Sequence, residues 1–161
     1  MNQDSLKELI AIPPFNAVGK NSIELIEKNL KTVKFEIGQE LIEQGKLPGC
    51  LYIVNSGSAR FVSNINGRVK TIDKYKPGDF IGIASLITGE PLENVFASDS
   101  LIAFTFDESV IESLYNNDAV FKSWIDNKLF LPEVVNFTKS YSEKLSLKEE
   151  SFNDDARMQA Q

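Results

Sequence analysis

The sequence of 161 residues contains no histidine and only one cysteine, Cys50. Without histidine the chain cannot build the Ser-His or Cys-His pairs of nucleophilic enzymes, and it lacks the usual ligand of catalytic zinc and non-haem iron. Carboxylate or lysine chemistry is still available, but we predict a protein without catalytic residues, cofactor or metal site. A single cysteine excludes an internal disulfide and is typical of a reducing, cytoplasmic location.

A long hydrophobic run and a positive charge balance are also missing. No apolar stretch approaches the roughly 20 residues that span a bilayer, and the first residues lack the pattern of a signal peptide. The net charge is −6, which disfavours nonspecific nucleic-acid binding because phosphates are neutralised by a basic surface. We therefore expect no membrane insertion and no nucleic-acid partner.

Glycines and apolar periodicity divide the sequence into three zones and a tail. Residues 4–30 and 107–145 have helical spacing, and Pro13-Pro14 interrupts the first of these zones because proline lacks a backbone donor. Residues 32–106 contain short apolar strands separated by glycines, which predicts a β-roll, a barrel or a jelly-roll sandwich. The polar residues 146–161 are predicted to be a disordered tail or a linker.

Two segments of the strand-rich zone carry specific predictions. Asn66-Gly67 predicts a two-residue hairpin between arms at 59–65 and 69–75, because a type I′ turn needs positive φ at both central residues. Residues 81–87 are small and apolar and lie between two turn signals, which predicts one turn of helix between two strands.

Short polar side chains mark the predicted helix starts. Asn21 and Glu24 have the spacing of a capping box. Asp107 is predicted to cap the first helix after the strands, and Asn117 or Asp118 is predicted to cap the next one.

Four segments, taken in order, resemble the cyclic-nucleotide-binding domain family. They are Ile-Pro-Pro-Phe at 12–15, a glycine-bracketed hairpin at 37–45, a central strand pair at 51–59 and Pro-Gly-Asp-Phe-Ile-Gly at 77–82. The resemblance covers about residues 6–145. It implies one domain, 1–145, folded as a mainly β antiparallel β-roll (double-stranded jelly roll) with N- and C-terminal helices. It also implies that residues 82–98, here called the cassette, correspond to the family's phosphate-binding segment.

The cassette departs from the family at two positions. In the family a glutamate directly after the cassette glycine holds the ribose, and a later arginine pairs with the phosphate because its fork matches phosphate oxygens. Here Ile83 follows Gly82, Leu92 stands where the arginine is expected, and Glu93 beside it would repel a phosphate. We therefore predict a degenerate pocket that holds no ligand, a weakly bound cyclic nucleotide or an unknown small molecule. Its candidate ligand-binding residues are Gly82, Ile83, Ala84, Ser85, Leu92, Glu93 and Asn94.

A narrower resemblance concerns the setting of the domain. The cassette and Lys46-Leu47-Pro48 are similar to those of cyanobacterial ABC exporters that secrete peptides or toxins. In such exporters the domain lies at the cytosolic N-terminus, at the inner membrane, ahead of a peptidase-like domain and the transporter core. The resemblance implies a non-catalytic regulatory domain whose partner is the downstream transporter or another effector domain.

Three other functions remain as alternatives. A working cAMP or cGMP sensor would carry the phosphate on backbone amides near Ala84 and Ser85; Phe80 and Phe96, which could stack on its base, are interpreted as core residues instead. A transcription regulator of the catabolite-activator type would need a basic helix-turn-helix, for which we expect no room after Leu145. A cupin-type enzyme would need metal-binding histidines, which the chain lacks.

An apolar stripe follows Pro132, which suits the first turn of a last helix. Val134, Phe137, Tyr141 and Leu145 form this stripe. It either packs on the domain or forms a dimer or linker helix. We favour packing in trans, with a homodimer through the C-terminal helices as the corresponding assembly.

Overall fold

The computed structural model describes residues 3–159 of the chain, with side-chain surroundings for residues 3–148 and Met158. The chain forms two compact units, one ending at Lys128 and one beginning at Leu129. The helices are α1 (Gln3–Ile10), α2 (Lys20–Asn29), α3 (Ile83–Thr88), α4 (Glu108–Asn117), α5 (Ala119–Asp126) and α6 (Leu131–Gln159). Within the described part of the chain, no helix is both long enough and apolar enough to cross a bilayer.

Eight strands in the first unit form two four-stranded sheets. They are β1 (Lys31–Phe35), β2 (Glu40–Ile42), β3 (Cys50–Ser56), β4 (Ala59–Ile65), β5 (Arg68–Tyr75), β6 (Phe80–Ile81), β7 (Val95–Ala97) and β8 (Leu101–Asp107). One sheet has the order β1-β8-β3-β6 and the other β2-β7-β4-β5, and the paired strands are antiparallel. This arrangement confirms the predicted fold class, an antiparallel β-roll with helices at both ends.

The apolar core contains residues from both sheets. One buried cluster consists of Leu41, Ile42, Val54, Ala59, Ile81, Val95, Ala97, Leu101 and Ala103. Aromatic rings extend the core. The ring centroid of Phe15 lies 6.1 Å from that of Phe106 and 6.0 Å from that of Phe121. Removal of this apolar surface from water is the main stabilising contribution to the fold.

The hairpin between β4 and β5 forms as predicted. Asn66 has φ of 52° and Gly67 has φ of 76°, and Ile65 pairs with Arg68 on either side of the turn. Both central residues therefore lie in the left-handed region that a type I′ turn requires.

The start of α2 differs from the sequence prediction. The capping box at Asn21 is wrong, because α2 begins at Lys20 and Gly19 holds the N-cap position without a side-chain bond. The missing acceptor comes from Asp118, whose Oδ2 accepts from Gly19 N–H at 2.9 Å and from Ser22 Oγ at 2.6 Å. A residue distant in sequence thus satisfies the first turn of α2.

The caps of α4 and α5 follow the prediction to different degrees. Asp118 caps α5 through its Oδ1, which accepts from Val120 N–H at 3.0 Å and Phe121 N–H at 2.9 Å. Asp107 occupies the N-cap position of α4, but its side chain makes no capping bond. Its carboxylate pairs instead with Lys31 Nζ at 3.0 Å on the surface.

The second unit contains α6, which starts at Leu131 and includes Pro132 in its first turn, as predicted. The helix continues through residue 145, where we expected the domain to end, and residues 146–159, for which we predicted a disordered tail or a linker, are helical. Glutamate, lysine and leucine in this stretch favour helix, which accounts for the difference. A role of this segment as a linker stays a prediction. The stripe is exposed at Val134 (37%), Phe137 (71%), Tyr141 (58%) and Leu145 (46%).

Candidate functional site

The cassette begins where β6 ends and is shaped by two glycines. Gly82 has φ of 93° and directly precedes α3, while Gly89 has φ of 69° and ends it. A side chain at residue 82 would also come within 3.3 Å of the Cys50 carbonyl oxygen and of Ile42 Cδ1. The positive φ favours glycine there, and an added Cβ would require these neighbours to move by a few tenths of an ångström. The predicted single turn of helix between two strands is confirmed.

The inner face of α3 is buried. Ile83 and Ala84 are each 1% exposed, and Ser85 is fully buried. Ile83 has no polar side-chain atom, so the position directly after Gly82 offers no acceptor to a ligand hydroxyl.

Glu93 is the unexpected residue of the site. It lies in the loop between α3 and β7, and it is only 2% exposed. Its Oε1 accepts from Gly82 N–H at 2.9 Å and from Tyr75 Oη at 3.3 Å. Its Oε2 accepts from Ser85 N–H at 3.3 Å and from Ser85 Oγ at 2.8 Å. The side chain thus points into the cassette, where it satisfies groups at the start of α3.

The partners of Glu93 are neutral hydrogen-bond donors. A buried carboxylate is costly unless such donors compensate it. Burial, and then the Glu93 charge, raise the pKa of Tyr75 well above its ordinary value of 10.0. Tyr75 therefore stays protonated and donates over the physiological pH range.

The residues beside Glu93 attach the loop to its surroundings. Leu92 is half-buried, and its N–H donates to Ser85 Oγ at 3.2 Å. The carbonyl oxygen of Asn94 accepts from Val62 N–H at 2.9 Å. Glu93 is therefore held by backbone bonds on both sides.

The seven predicted site residues separate into three groups in the structure. Gly82, Ser85 and Glu93 are joined directly, and Leu92 joins them through its backbone N–H. Ile83 and Ala84 are buried beneath them. Asn94 turns its side-chain amide toward β2. With the amide assigned so that its nitrogen faces the two acceptors there, this nitrogen donates to Glu40 Oε1 at 3.2 Å and to the Ile42 carbonyl oxygen at 3.2 Å.

Sequence reasoning missed Tyr75 as a member of this cluster. Tyr75 is the last residue of β5, and it reaches Glu93 only because β5 and the cassette loop are adjacent in the folded chain. A tyrosine at the end of an otherwise polar, exposed strand was the available signal.

The two phenylalanines near the cassette pack against protein groups. Phe80 stacks on Phe15 with ring centroids 5.7 Å apart, and its ring lies 4.7 Å from that of Trp124. Phe96 is half-buried, with the guanidinium of Arg60 5.9 Å from its ring centroid. Phe80 is thus part of the aromatic core, as interpreted from the sequence.

Comparisons with known proteins agree with this architecture. The cAMP-dependent protein kinase regulatory subunit of Schizosaccharomyces pombe is 32% identical over 108 residues, which are 66% of this chain and 25% of that protein. The chain spans a quarter or less of the length of the curated relatives it matches.

Solved structures share the fold. The regulatory subunit of a cAMP-independent protein kinase A from Trypanosoma brucei matches with a TM-score of 0.68 at 20% identity, over 87% of this chain and 50% of that one. The corresponding subunit from Trypanosoma cruzi, bound to guanosine, matches with a TM-score of 0.67 at 17% identity, over 74% of this chain and 42% of that one.

The family model described as "Cyclic nucleotide-binding domain" matches residues 32–118. This range includes the cassette, α4 and all eight strands apart from the first residue of β1. This match covers more than half of the sequence. The chain therefore belongs to the cyclic nucleotide-binding domain family.

Proposed function

We propose that the chain is a non-catalytic regulatory domain whose cassette has lost the charged contacts that hold a cyclic nucleotide. The observation that carries this proposal is the chemistry of two positions. Ile83, buried to 1% exposure, stands where the family has its ribose-binding glutamate, and Leu92 stands where the family has its phosphate-binding arginine. Neither side chain can hydrogen-bond a nucleotide.

The cost of these losses can be estimated. One charge-assisted hydrogen bond contributes about 1.5–3 kcal/mol, which corresponds to roughly one to two decades of affinity. Losing both the ribose and the phosphate contacts makes the pocket degenerate toward cAMP and cGMP. Fold is retained in such a case because the buried core does not depend on the ligand contacts.

A groove next to the cassette offers a route for regulation. It has a volume of about 390 Å³ and is lined by α3, α4 and α5, including Leu86, Ile87, Ile111, Phe121 and Ile125. A movement of α3 would change how α3 packs against α4 and α5 along this groove, and would so shift those two helices. Such coupling requires a ligand or partner that binds the two states unequally.

The partner in this proposal is a downstream effector domain. The resemblance of the cassette to that of peptide- and toxin-secreting ABC exporters favours a transporter, with the domain on the cytosolic face of the membrane. The S. pombe relative is a regulatory subunit, which supports a regulatory role in the wider sense. The exposed apolar stripe on α6 supports packing in trans, as in a homodimer through the C-terminal helices, or a role of α6 as a linker helix.

The homodimer has its own test. Sedimentation of the native chain is compared with that of a Phe137→Ser/Tyr141→Ser variant, and Lys144→Ser on the same helix serves as the control. We expect only the double variant to sediment as a monomer. A native chain that is monomeric at all concentrations would contradict the homodimer.

A nucleotide or nucleoside sensor is the second candidate function. Identity of 32% to a cAMP-dependent regulatory subunit supports a cyclic nucleotide. The guanosine bound to the T. cruzi subunit supports a ligand without phosphate. Either would have to bind without the two charged contacts.

Calorimetric titration of the native chain separates these candidates. The ligands are cAMP, cGMP and guanosine, each up to about 1 mM, a range that detects dissociation constants of the same order. We expect no heat and no shift in melting temperature with either cyclic nucleotide. Saturable binding of cAMP or cGMP at micromolar affinity would overturn the proposal, and binding of guanosine alone would favour the second candidate.

A further inference from the structure

We propose that Glu93 is a built-in anion that occupies the donors of the cassette and thereby excludes phosphate-bearing ligands from them. This inference rests on the proposed function and adds a specificity-determining residue to it. In addition to lacking contacts for a nucleotide, the pocket contains a carboxylate of its own.

Glu93 already occupies the donors that a phosphate in the cassette would need. Glu93 takes the N–H of Gly82, which precedes α3, and both the N–H and the hydroxyl of Ser85 within α3. Tyr75 supplies the fourth donor, so that each carboxylate oxygen accepts two hydrogen bonds. A phosphate would have to displace the carboxylate to reach the same groups.

The Glu93 carboxylate is also buried and fixed in place. At 2% exposure the carboxylate is removed from water, so displacing it would require new partners for its charge. The adjoining backbone restricts its movement, because Leu92 N–H is bound to Ser85 Oγ at 3.2 Å and the Asn94 carbonyl accepts from Val62 N–H at 2.9 Å. The loop therefore holds Glu93 against α3.

The charge of Glu93 would also repel a phosphate in the cassette. A phosphate at hydrogen-bond distance from Gly82 and Ser85 would lie beside a buried carboxylate whose partners are all neutral donors. Repulsion between two such anions is much stronger in a protein interior than in water. An arginine placed at residue 92 would stand next to the negative charge of Glu93, which offsets its attraction for a phosphate. Restoring the family's arginine alone is therefore insufficient to restore phosphate binding.

The test compares two variants in the full chain. Leu92→Arg restores the arginine and keeps Glu93, whereas Leu92→Arg/Glu93→Ala also removes the carboxylate. The dissociation constant for cAMP is measured for both by calorimetry. We expect the double variant to bind cAMP at least about tenfold more tightly than the single variant, one charge-assisted contact being of this size.

Glu90 provides the matched control, because it is a carboxylate in the same loop but is exposed. Leu92→Arg/Glu90→Ala loses the same charge without freeing the cassette donors, and we expect it to bind cAMP no better than Leu92→Arg. Equal affinity of the Glu93 and Glu90 double variants would overturn the inference.

A second measurement covers the case in which the alanine variant does not fold. Glu93→Gln keeps the shape of the side chain and removes its charge. In amide-resolved NMR spectra without ligand, we expect this substitution to shift the signals of Gly82 and Ser85, while Glu90→Gln leaves them unchanged. Unchanged signals in a folded Glu93→Gln chain would show that Glu93 does not hold these donors.

The native chain, titrated in the same series, tests the proposed function separately. Micromolar binding of cAMP by the native chain would refute the degenerate pocket. The comparison between the Glu93 and Glu90 variants would still decide whether Glu93 competes with phosphate.

Discussion

Ser22 on α2 donates a hydrogen bond of 2.6 Å to Asp118, which precedes α5 and lies 96 positions later in the chain. The other oxygen of the same carboxylate caps α5. One buried side chain, 7% exposed, therefore satisfies the first turns of two helices that flank the β-roll on either side in sequence.

Replacing Asp118 by alanine is expected to destabilise the chain by about 2–4 kcal/mol, which combines a lost helix cap with buried donors left without an acceptor. The measurement is urea denaturation of native and variant protein. Asp107→Ala is the matched control, since Asp107 holds the N-cap position of α4 without a capping bond and is exposed. A loss of equal size in both variants would contradict the double-cap role.

The contribution of Asp118 is expected to depend on pH. Burial opposes its ionisation, but the hydrogen bonds from Ser22, Phe121, Gly19 and Val120 outweigh burial and lower its pKa below the ordinary value of 3.8. Because the folded-state pKa is the lower one, the unfolded chain binds more protons between the two values. The stabilisation is therefore fully present above pH 3.8 and is lost as the pH falls through the folded-state value.

This pH dependence can be measured as a difference. The unfolding free energies of the native chain and Asp118→Asn are compared over a series of acidic to neutral buffers. We expect a constant gap near neutral pH and a shrinking gap below pH 3.8. A gap that widens as the pH falls would mean that the pKa of Asp118 is raised instead.

Gly57 is expected to tolerate no side chain. Its φ is +81°, and an added Cβ would collide with the carbonyl oxygen of Ser100 and lie 2.9 Å from Leu101 Cα. The positive φ alone costs roughly 1–2 kcal/mol for alanine, and a collision with backbone adds to that cost. We expect Gly57→Ala to lose at least about 3 kcal/mol or to fail to fold.

Gly67 is the control for this substitution, because it has φ of +76° but open space where its Cβ would be. In thermal melts we expect Gly67→Ala to lose only the roughly 1–2 kcal/mol of stability that the positive φ costs alanine. Comparable melting temperatures for the two variants would indicate that the collision at Gly57 is relieved by movement of the loop at Ser100.

Truncation after Phe130 is expected to leave the first unit folded. The unit that ends at Lys128 contains both sheets and the buried clusters. Circular dichroism should lose helical signal from α6 while cooperative unfolding of the first unit is retained. Loss of cooperative unfolding would mean that α6 is part of the domain's core. If α6 carries the signal, the truncated chain will have no effect on a downstream partner.

The parts of the fold that depend on neighbouring residues could be predicted from the sequence. The Asn66-Gly67 hairpin, the turn of helix after Gly82 and the cap at Asp118 each follow from local backbone preferences. The start of α2 could not, because its acceptor lies 99 positions from Gly19. Local pattern rules contain no information about such a partner.

The candidate site shows the same limit. The resemblance predicted that Ile83 and Leu92 make no nucleotide contacts and that the charge of Glu93 is unfavourable to phosphate. It gave no indication that Glu93 is buried and bound to Gly82, because an acidic residue in a polar loop usually points to solvent. The inward direction of the Glu93 side chain is set by the folded loop, and only the structure shows it.

The Glu93 cluster also constrains how phosphate binding could return by mutation. A change at residue 92 alone places an arginine beside the charge of Glu93, and a change at residue 93 alone leaves four donor groups without their acceptor and lowers stability. Restoring the phosphate contacts therefore depends on two adjacent codons changing together, and the ribose contact at residue 83 needs a third change. Loss of the ligand is in this way far easier than its recovery.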